Sequence, residues 1–250
     1  MRYSRTDKYY DFCAAFFIKR VTHMKNSLLT GIILSAILTA SVSGAQFNKT
    51  KTYAGEFTDV PQTEWYAQEV INTYELGLMN GVGAGLFNPD GNVTRAEAIT
   101  MAARVCAIYN GETIPSAEGE WYTQYVNYAV SKGFLASDRF TELDVPATRA
   151  EVAELFAKAL PATEYVQKNT VDKIPDVGTH LDCYDEVMSL YKAGIVMGSD
   201  ACGNFRPEDN IIRAEAAAIL NRVALPEKRL QELLTKCPRT MHISLSSTIP

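Results

Sequence analysis

The chain has 250 residues, 47% of them hydrophobic and 21% charged, with a formal net charge of -5. That is the composition of a globular chain and excludes a disordered one. The acidic balance argues against broad nucleic-acid binding, so no nucleic-acid partner is expected, although local cationic pockets stay open.

Residues 24–45 read "MKNSLLTGIILSAILTASVSGA". Lys25 supplies a short positive region, Leu28 to Ala40 an apolar stretch, and Ser43-Gly44-Ala45 small residues at a cleavage site. This order predicts a secretory signal peptide cut before Gln46. Residues 1–45 are therefore read as an N-terminal extension plus signal peptide, with Met24 as a natural start. An uncleaved anchor is the alternative. An apolar run of about 13–18 residues is marginal for a membrane span, so export ranks first and no stable span is expected after cleavage. The exported chain keeps Cys106, Cys183, Cys202 and Cys237. Export permits disulfides, and sequence does not choose among the three full pairings. Cys106 continues an apolar helical face and reads as a small buried hydrophobe.

Three units follow, each with two helical segments joined by a loop. The first segments are "WYAQEVINTYELG" (65–77), "WYTQYVNYAVSKG" (121–133) and "DCYDEVMSLYKAG" (182–194), which align without a gap. Val70, Val126 and Val187 coincide, as do Tyr74, Val130 and Tyr191. All three end on Gly, which suits a left-handed C-cap. Two have a matching lead-in, "FTDV" (57–60) and "IPDV" (174–177), which carries Asp59 and Asp176. Each Asp could cap the helix that follows.

The second segments superpose Ala98, Val152 and Ala216, then Met101, Leu155 and Ile219. They go on to superpose Ala102, Phe156 and Leu220, then Val105, Ala159 and Val223. The spacing i, i+3, i+4, i+7 is one apolar helix face. "TRAE" opens the first two of these helices at Thr94 and Thr148, and "IRAE" opens the third at Ile212. Thr and Glu at this spacing predict a capping box. The box leaves Arg95, Arg149 and Arg213 unexplained, because a cation at the first helical position opposes the helix dipole. A cation beside free helix N–H groups would make an anion-binding corner; the plainer reading is a surface charge or a structural ion pair. Since the Arg does not cap the helix, removing it is expected to cost little stability. The loops repeat as well: "GLFNPDGNVT" (85–94) matches "GNFRPEDNII" (203–212).

The lead-in, the Trp-Tyr helix start, the "GLFNPDGNVTRAE" loop and the threefold Arg-Ala-Glu resemble the S-layer homology domain family. The resemblance covers roughly residues 54–225, with units at 54–110, 116–162 and 172–225. It implies an all-α fold in which three helix-loop-helix repeats pack as one pseudo-threefold helical bundle. It also implies a secreted module, associated with the cell wall or S-layer, that binds a pyruvylated secondary cell-wall polymer in grooves between repeats. Carried onto this chain, the expected ligand-binding residues are Asp59, Trp65, Arg95, Trp121, Arg149, Asp176 and Arg213. The physics agrees: Arg suits the ketal carboxylate, Trp the apolar face of a sugar, Asp its hydroxyls. Each Trp could equally be a packing residue. The alternative function is a degenerate scaffold for structural or protein contacts without glycan binding.

No enzyme is expected. His180 and His242 stand outside any catalytic pattern, and no H-E-x-x-H or phosphate-binding loop is present. "GVGAG" (81–85) reads as a turn. "NPDGN" (88–92) also reads as a turn, because it lacks the downstream Glu of a calcium loop. No cofactor or metal is expected. The tail, residues 226–250, has Leu230, Leu233 and Leu234 on one face, so 226–237 either completes the bundle or recruits a protein partner.

Overall fold

A computed structural model describes residues 47–200 and 202–231. The expected signal peptide, Cys237, His242 and most of the tail lie outside the described residues. Six α-helices alternate short and long: α1 (Ala67–Glu75), α2 (Arg95–Asn110), α3 (Thr123–Ser131), α4 (Arg149–Lys158), α5 (Tyr184–Lys192) and α6 (Arg213–Ala224). Two short 3-10 turns, Ala162–Glu164 and Pro226–Lys228, complete the order. Among the described residues there is no strand, only isolated bridges. The all-α expectation holds.

The two helix types begin and end by different devices. The first helix of each unit has no side-chain cap at its start. It stops at Gly77, Gly133 or Gly194, whose φ values of 74°, 77° and 74° are left-handed. The second helices start on the capping boxes read from the sequence. Thr94 Oγ1 accepts from Glu97 N, and Thr148 Oγ1 accepts from Glu151 N, both at 3.2 Å. Ile212 has no side-chain acceptor to offer. Glu215 still accepts from the Ile212 backbone N–H, at 3.4 Å.

Packing follows a cyclic rule. α2 lies on α3, α4 on α5, and α6 on α1, so each second helix covers the first helix of the next unit and the last returns to the first. α4 also touches α2 and α6. All four aligned rows of the second helices, from Ala98–Val152–Ala216 to Val105–Ala159–Val223, are buried in one continuous apolar cluster. Burial of this apolar face at roughly 25 cal/mol per Å2 is the main stabilising term. Cys106 is buried as expected, Cys183 is buried too, and both are free thiols, whereas Cys202 is disulfide-bonded.

Straps close the ends. Thr50 N and Lys51 N donate to Glu75 O at the end of α1, and Lys168 N and Asn169 N donate likewise to Lys192 O at the end of α5. The described part of the tail packs rather than projects. Buried Arg229 donates to Arg222 O and Val223 O, carbonyls that α6 leaves unpaired at its end, and to Glu164 O. Leu230 N donates to Gly194 O at 2.8 Å.

Candidate functional site

The second helices start where the three units meet. There Val93 N donates to Ile211 O, Ala147 N to Val93 O, and Ile211 N to Ala147 O, so three backbones form a closed ring. The three arginines run around the same ring. Arg95 reaches Glu151 (Nη2 to Oε1, 2.7 Å), Arg149 reaches Glu215 (3.1 Å), and Arg213 reaches Glu97 (2.6 Å). Each Glu thus serves two masters: its own N-cap backbone N–H and the guanidinium of another unit. The Glu offsets the unfavourable dipole that each Arg meets at a helix start.

Each Arg also rests on a loop of the unit that holds its Glu. Arg149 Nε donates to Phe205 O and Arg213 Nε to Phe87 O, both at 2.8 Å, with each guanidinium over the matching phenyl ring. Arg95 lies over Phe140 and donates to Glu142 O. Arg149 and Arg213 are buried, and Arg95 is half-buried. Burial pushes the Arg213 guanidinium below its usual value, while Glu97 and Asp59 oppose that.

These contacts correct three expectations. The helix N–H groups beside the arginines are not free. Arg95 N and Ala96 N donate to Val145 O and Leu143 O, Arg149 N and Ala150 N to Asp209 O and Pro207 O, and Arg213 N and Ala214 N to Gly91 O and Pro89 O. The anion-binding corner is therefore already filled by backbone carbonyls. Removing an Arg is not cheap, because it would strand a Glu at a unit junction. Asp59 and Asp176 do not cap the helices that follow them, which have no side-chain cap. Asp59 instead accepts from Phe87 N (2.8 Å) and Asn88 N (2.7 Å), and Asp176 from Phe205 N (2.7 Å) and Arg206 N (2.6 Å). Asn88 and Arg206 have left-handed backbones, φ 59° and 58°, which side chains other than Gly adopt reluctantly. Each Asp is a clasp on a strained loop. The second unit has Pro115 at this position and a shorter loop, so it has no clasp.

The tryptophans are placed differently. Trp65 is 61% exposed and Trp121 54% exposed, each set edge-on to the next residue, Tyr66 or Tyr122. Such exposure excludes a core packing role and leaves an aromatic face open to solvent. The third unit has exposed Asp182 at this position. The structure thus joins Asp59, the Phe87 loop and Arg213 in one network, and Asp176, the Phe205 loop and Arg149 in another. It leaves the two indoles on the surface. A cavity of about 540 Å3 beside α3, lined by Gln124, Asn127 and Ser131 among others, includes none of the residues singled out from the sequence. Sequence reasoning missed the second role of Glu97, Glu151 and Glu215. The signal was there: a cation and an anion two residues apart, repeated three times, can pair across units. Among the described residues there is no cluster of three or more His, Cys, Asp or Glu side chains suited to a metal, and no helix long and apolar enough to cross a membrane.

All-helical units interlocked through their Arg-Ala-Glu helix starts define a repeat module. The S-layer homology domain model matches residues 56–99 and 173–217, the first and third units. The chain thus carries S-layer homology domain units at these two places. It is 24% identical over 193 residues to an S-layer protein of Bacillus thuringiensis subsp. finitimus, covering 75% of this chain and 24% of the relative. The same figures hold for the S-layer protein sap of Bacillus anthracis. A cellulosome-anchoring protein of Acetivibrio thermocellus is 27% identical over 137 residues, 50% of this chain and 31% of the relative. The chain thus spans about a quarter of the length of the two S-layer proteins.

Proposed function

We propose that this chain is a non-catalytic anchoring module that holds to the cell wall by binding a pyruvylated secondary cell-wall polymer. The family and its relatives support the coarser statement, a secreted, wall-associated protein with a role in cell-surface anchoring. The observation that carries the finer one is the pair of exposed indoles, Trp65 and Trp121, at the same place in two units. An exposed indole presents the flat apolar face on which a pyranose ring stacks. Arg95 has the most exposed guanidinium of the three arginines, so it is the one nearest to ligand; Arg149 and Arg213 hold the junctions in shape. Asp59 and Asp176 fix the loops beside the helix starts.

Co-sedimentation with isolated walls, with and without their secondary polymer, tests this. Binding should require the polymer. Trp65→Ala and Trp121→Ala should each weaken it roughly tenfold or more, as loss of a central aromatic contact does. Equal sedimentation with stripped walls would favour a second reading, a scaffold for protein contacts. Asp182 in place of a third Trp is the observation behind that reading.

A further inference from the structure

Cys202 is disulfide-bonded, whereas Cys106 and Cys183 are buried free thiols. Burial pushes the Cys106 thiol up and the Cys183 thiol up to about 11, which leaves both with little thiolate for exchange. The sequence holds two further cysteines, Cys13 and Cys237. Cys13 precedes the cleavage site expected before Gln46, so export removes it. Cys237 is then the cysteine left to pair. The fold brings its stretch of chain to the right place. After α6 the backbone returns to the end of α5, where Leu230 N donates to Gly194 O at 2.8 Å. Asn169 Nδ2 donates to both Leu230 O (3.1 Å) and Tyr191 O (3.4 Å). The approach is close, and a side chain on Gly194 would collide with Leu230 O. The Cys202 turn is tied to the same tyrosine, whose hydroxyl donates to Gly203 O at 3.3 Å. The tail and the Cys202 turn thus meet on Tyr191, one at its backbone and one at its side-chain tip. Asp200 Oδ1 accepts from Cys202 N (2.9 Å) and Asn204 N (3.1 Å), so the turn is held by its own side chain, with Cys202 half-buried. Cys237 lies seven positions beyond Leu230. A chain of that length reaches up to roughly 25 Å, well beyond the length of one tyrosine side chain.

We propose that Cys202 pairs with Cys237 and that this bond staples the C-terminal tail across the end of the third unit. The bond forms by thiol–disulfide exchange in two stages. The Cys202 and Cys237 thiols give up two protons and two electrons, and an external disulfide oxidant, of the kind met on export, takes them and leaves as two thiols. The closed loop runs from 202 to 237 and encloses the whole of α6. Because α6 covers α1, the staple locks the helix that closes the cycle of units. It also anchors the chain beside Phe205, whose carbonyl accepts from buried Arg149 at the junction of the second and third units. The tail then completes the bundle rather than standing free to recruit a partner. The inference is independent of the glycan reading, since the bond forms with or without polymer.

The test is peptide mapping of the secreted full chain without reduction, its free thiols blocked before digestion. Trypsin should release one disulfide-linked pair, the peptide 193–213 joined to 237–239. Denatured but unreduced, the same protein should titrate only the thiols of Cys106 and Cys183, with those of Cys202 and Cys237 added after reduction. Reduction should lower the thermal midpoint by roughly 5–15 °C, the scale expected for a staple around a loop of this length. Cys202→Ser and Cys237→Ser should each start at that lower midpoint, match the double variant, and not respond to reductant. All four thiols titrating without reduction would overturn the proposal. So would a linked pair that contains Cys13, or one that joins Cys202 of two chains. The expected pair with a midpoint that reduction leaves unchanged would overturn the stapling role.

Discussion

Arg213 and Glu97 stand 116 residues apart in sequence and 2.6 Å apart in space. Their contact closes a circuit that Arg95–Glu151 and Arg149–Glu215 begin. Side-chain exposures of 5% and 24% make it the most enclosed of the three pairs on the Arg side. Breaking an enclosed pair by removing one partner leaves an uncompensated charge, which costs about 3–5 kcal/mol. Arg213→Ala should lose an amount near the lower end, because Glu97 is partly wet. Arg95→Ala should lose less, its guanidinium being the most exposed of the three. Urea unfolding measures both. Losses under about 0.5 kcal/mol for both variants would reduce the circuit to surface charge.

The two aspartate clasps should behave alike, and the second unit should have no counterpart. Asp59→Ala frees the N–H groups of Phe87 and Asn88; Asp176→Ala frees those of Phe205 and Arg206. Phe87 and Phe205 are buried, and leaving a buried donor unpaired costs about 1–3 kcal/mol, whereas water can take up the exposed Asn88 and Arg206 donors. Hydrogen exchange is the local readout: the four amides should lose protection in the matching variant. Pro115→Ala, at the unclasped position, should leave exchange in the Phe140 loop unchanged. Unaltered protection of Phe87 and Asn88 in Asp59→Ala would show that the loop holds itself.

Much of this was legible in the sequence. The rows Ala98–Val152–Ala216 to Val105–Ala159–Val223 follow from helical period alone, and so do the boxes at Thr94 and Thr148. Gly77, Gly133 and Gly194 mark helix ends by their backbone needs. What stayed hidden are contacts with no local rule. Capping acts over three residues, so the sequence ties Glu97 to Thr94 and carries no local sign of its bond to Arg213. Local capping rules point Asp59 forward onto the next helix, yet it bonds a loop 28 residues away.

The cyclic packing makes the units interdependent. α1 is covered by α6, from the far end of the described chain, and α2 by α3. A peptide of residues 54–110 therefore lacks the cover of both its helices. Its circular dichroism should show partial helix and no cooperative melt. A sharp thermal transition for the fragment would mean that one unit buries enough surface alone.

Acid should loosen the structure through a small set of carboxylates. Glu75 is held below 4.5 by Lys49 and by the Tyr53 N–H, and Glu112 by Lys132 and the Tyr128 hydroxyl. For Glu154, burial favours the neutral acid, but hydrogen bonds from Arg139 and Lys158 outweigh it and keep the carboxyl below 4.5. A carboxyl with a lowered value in the folded chain binds its proton more weakly than when unfolded. Its contribution is complete above the unfolded value, near 4.5, and is lost as pH falls through the folded one. Urea midpoints should thus be flat with respect to these groups from pH 7 to about 5 and fall below 4.5. Glu154→Gln should start lower at pH 7 and fall less, because its share of the pH dependence is gone. An identical acid slope in wild type and Glu154→Gln would remove Glu154 from the set, and a midpoint that rises on acidification would reverse the sign of the argument.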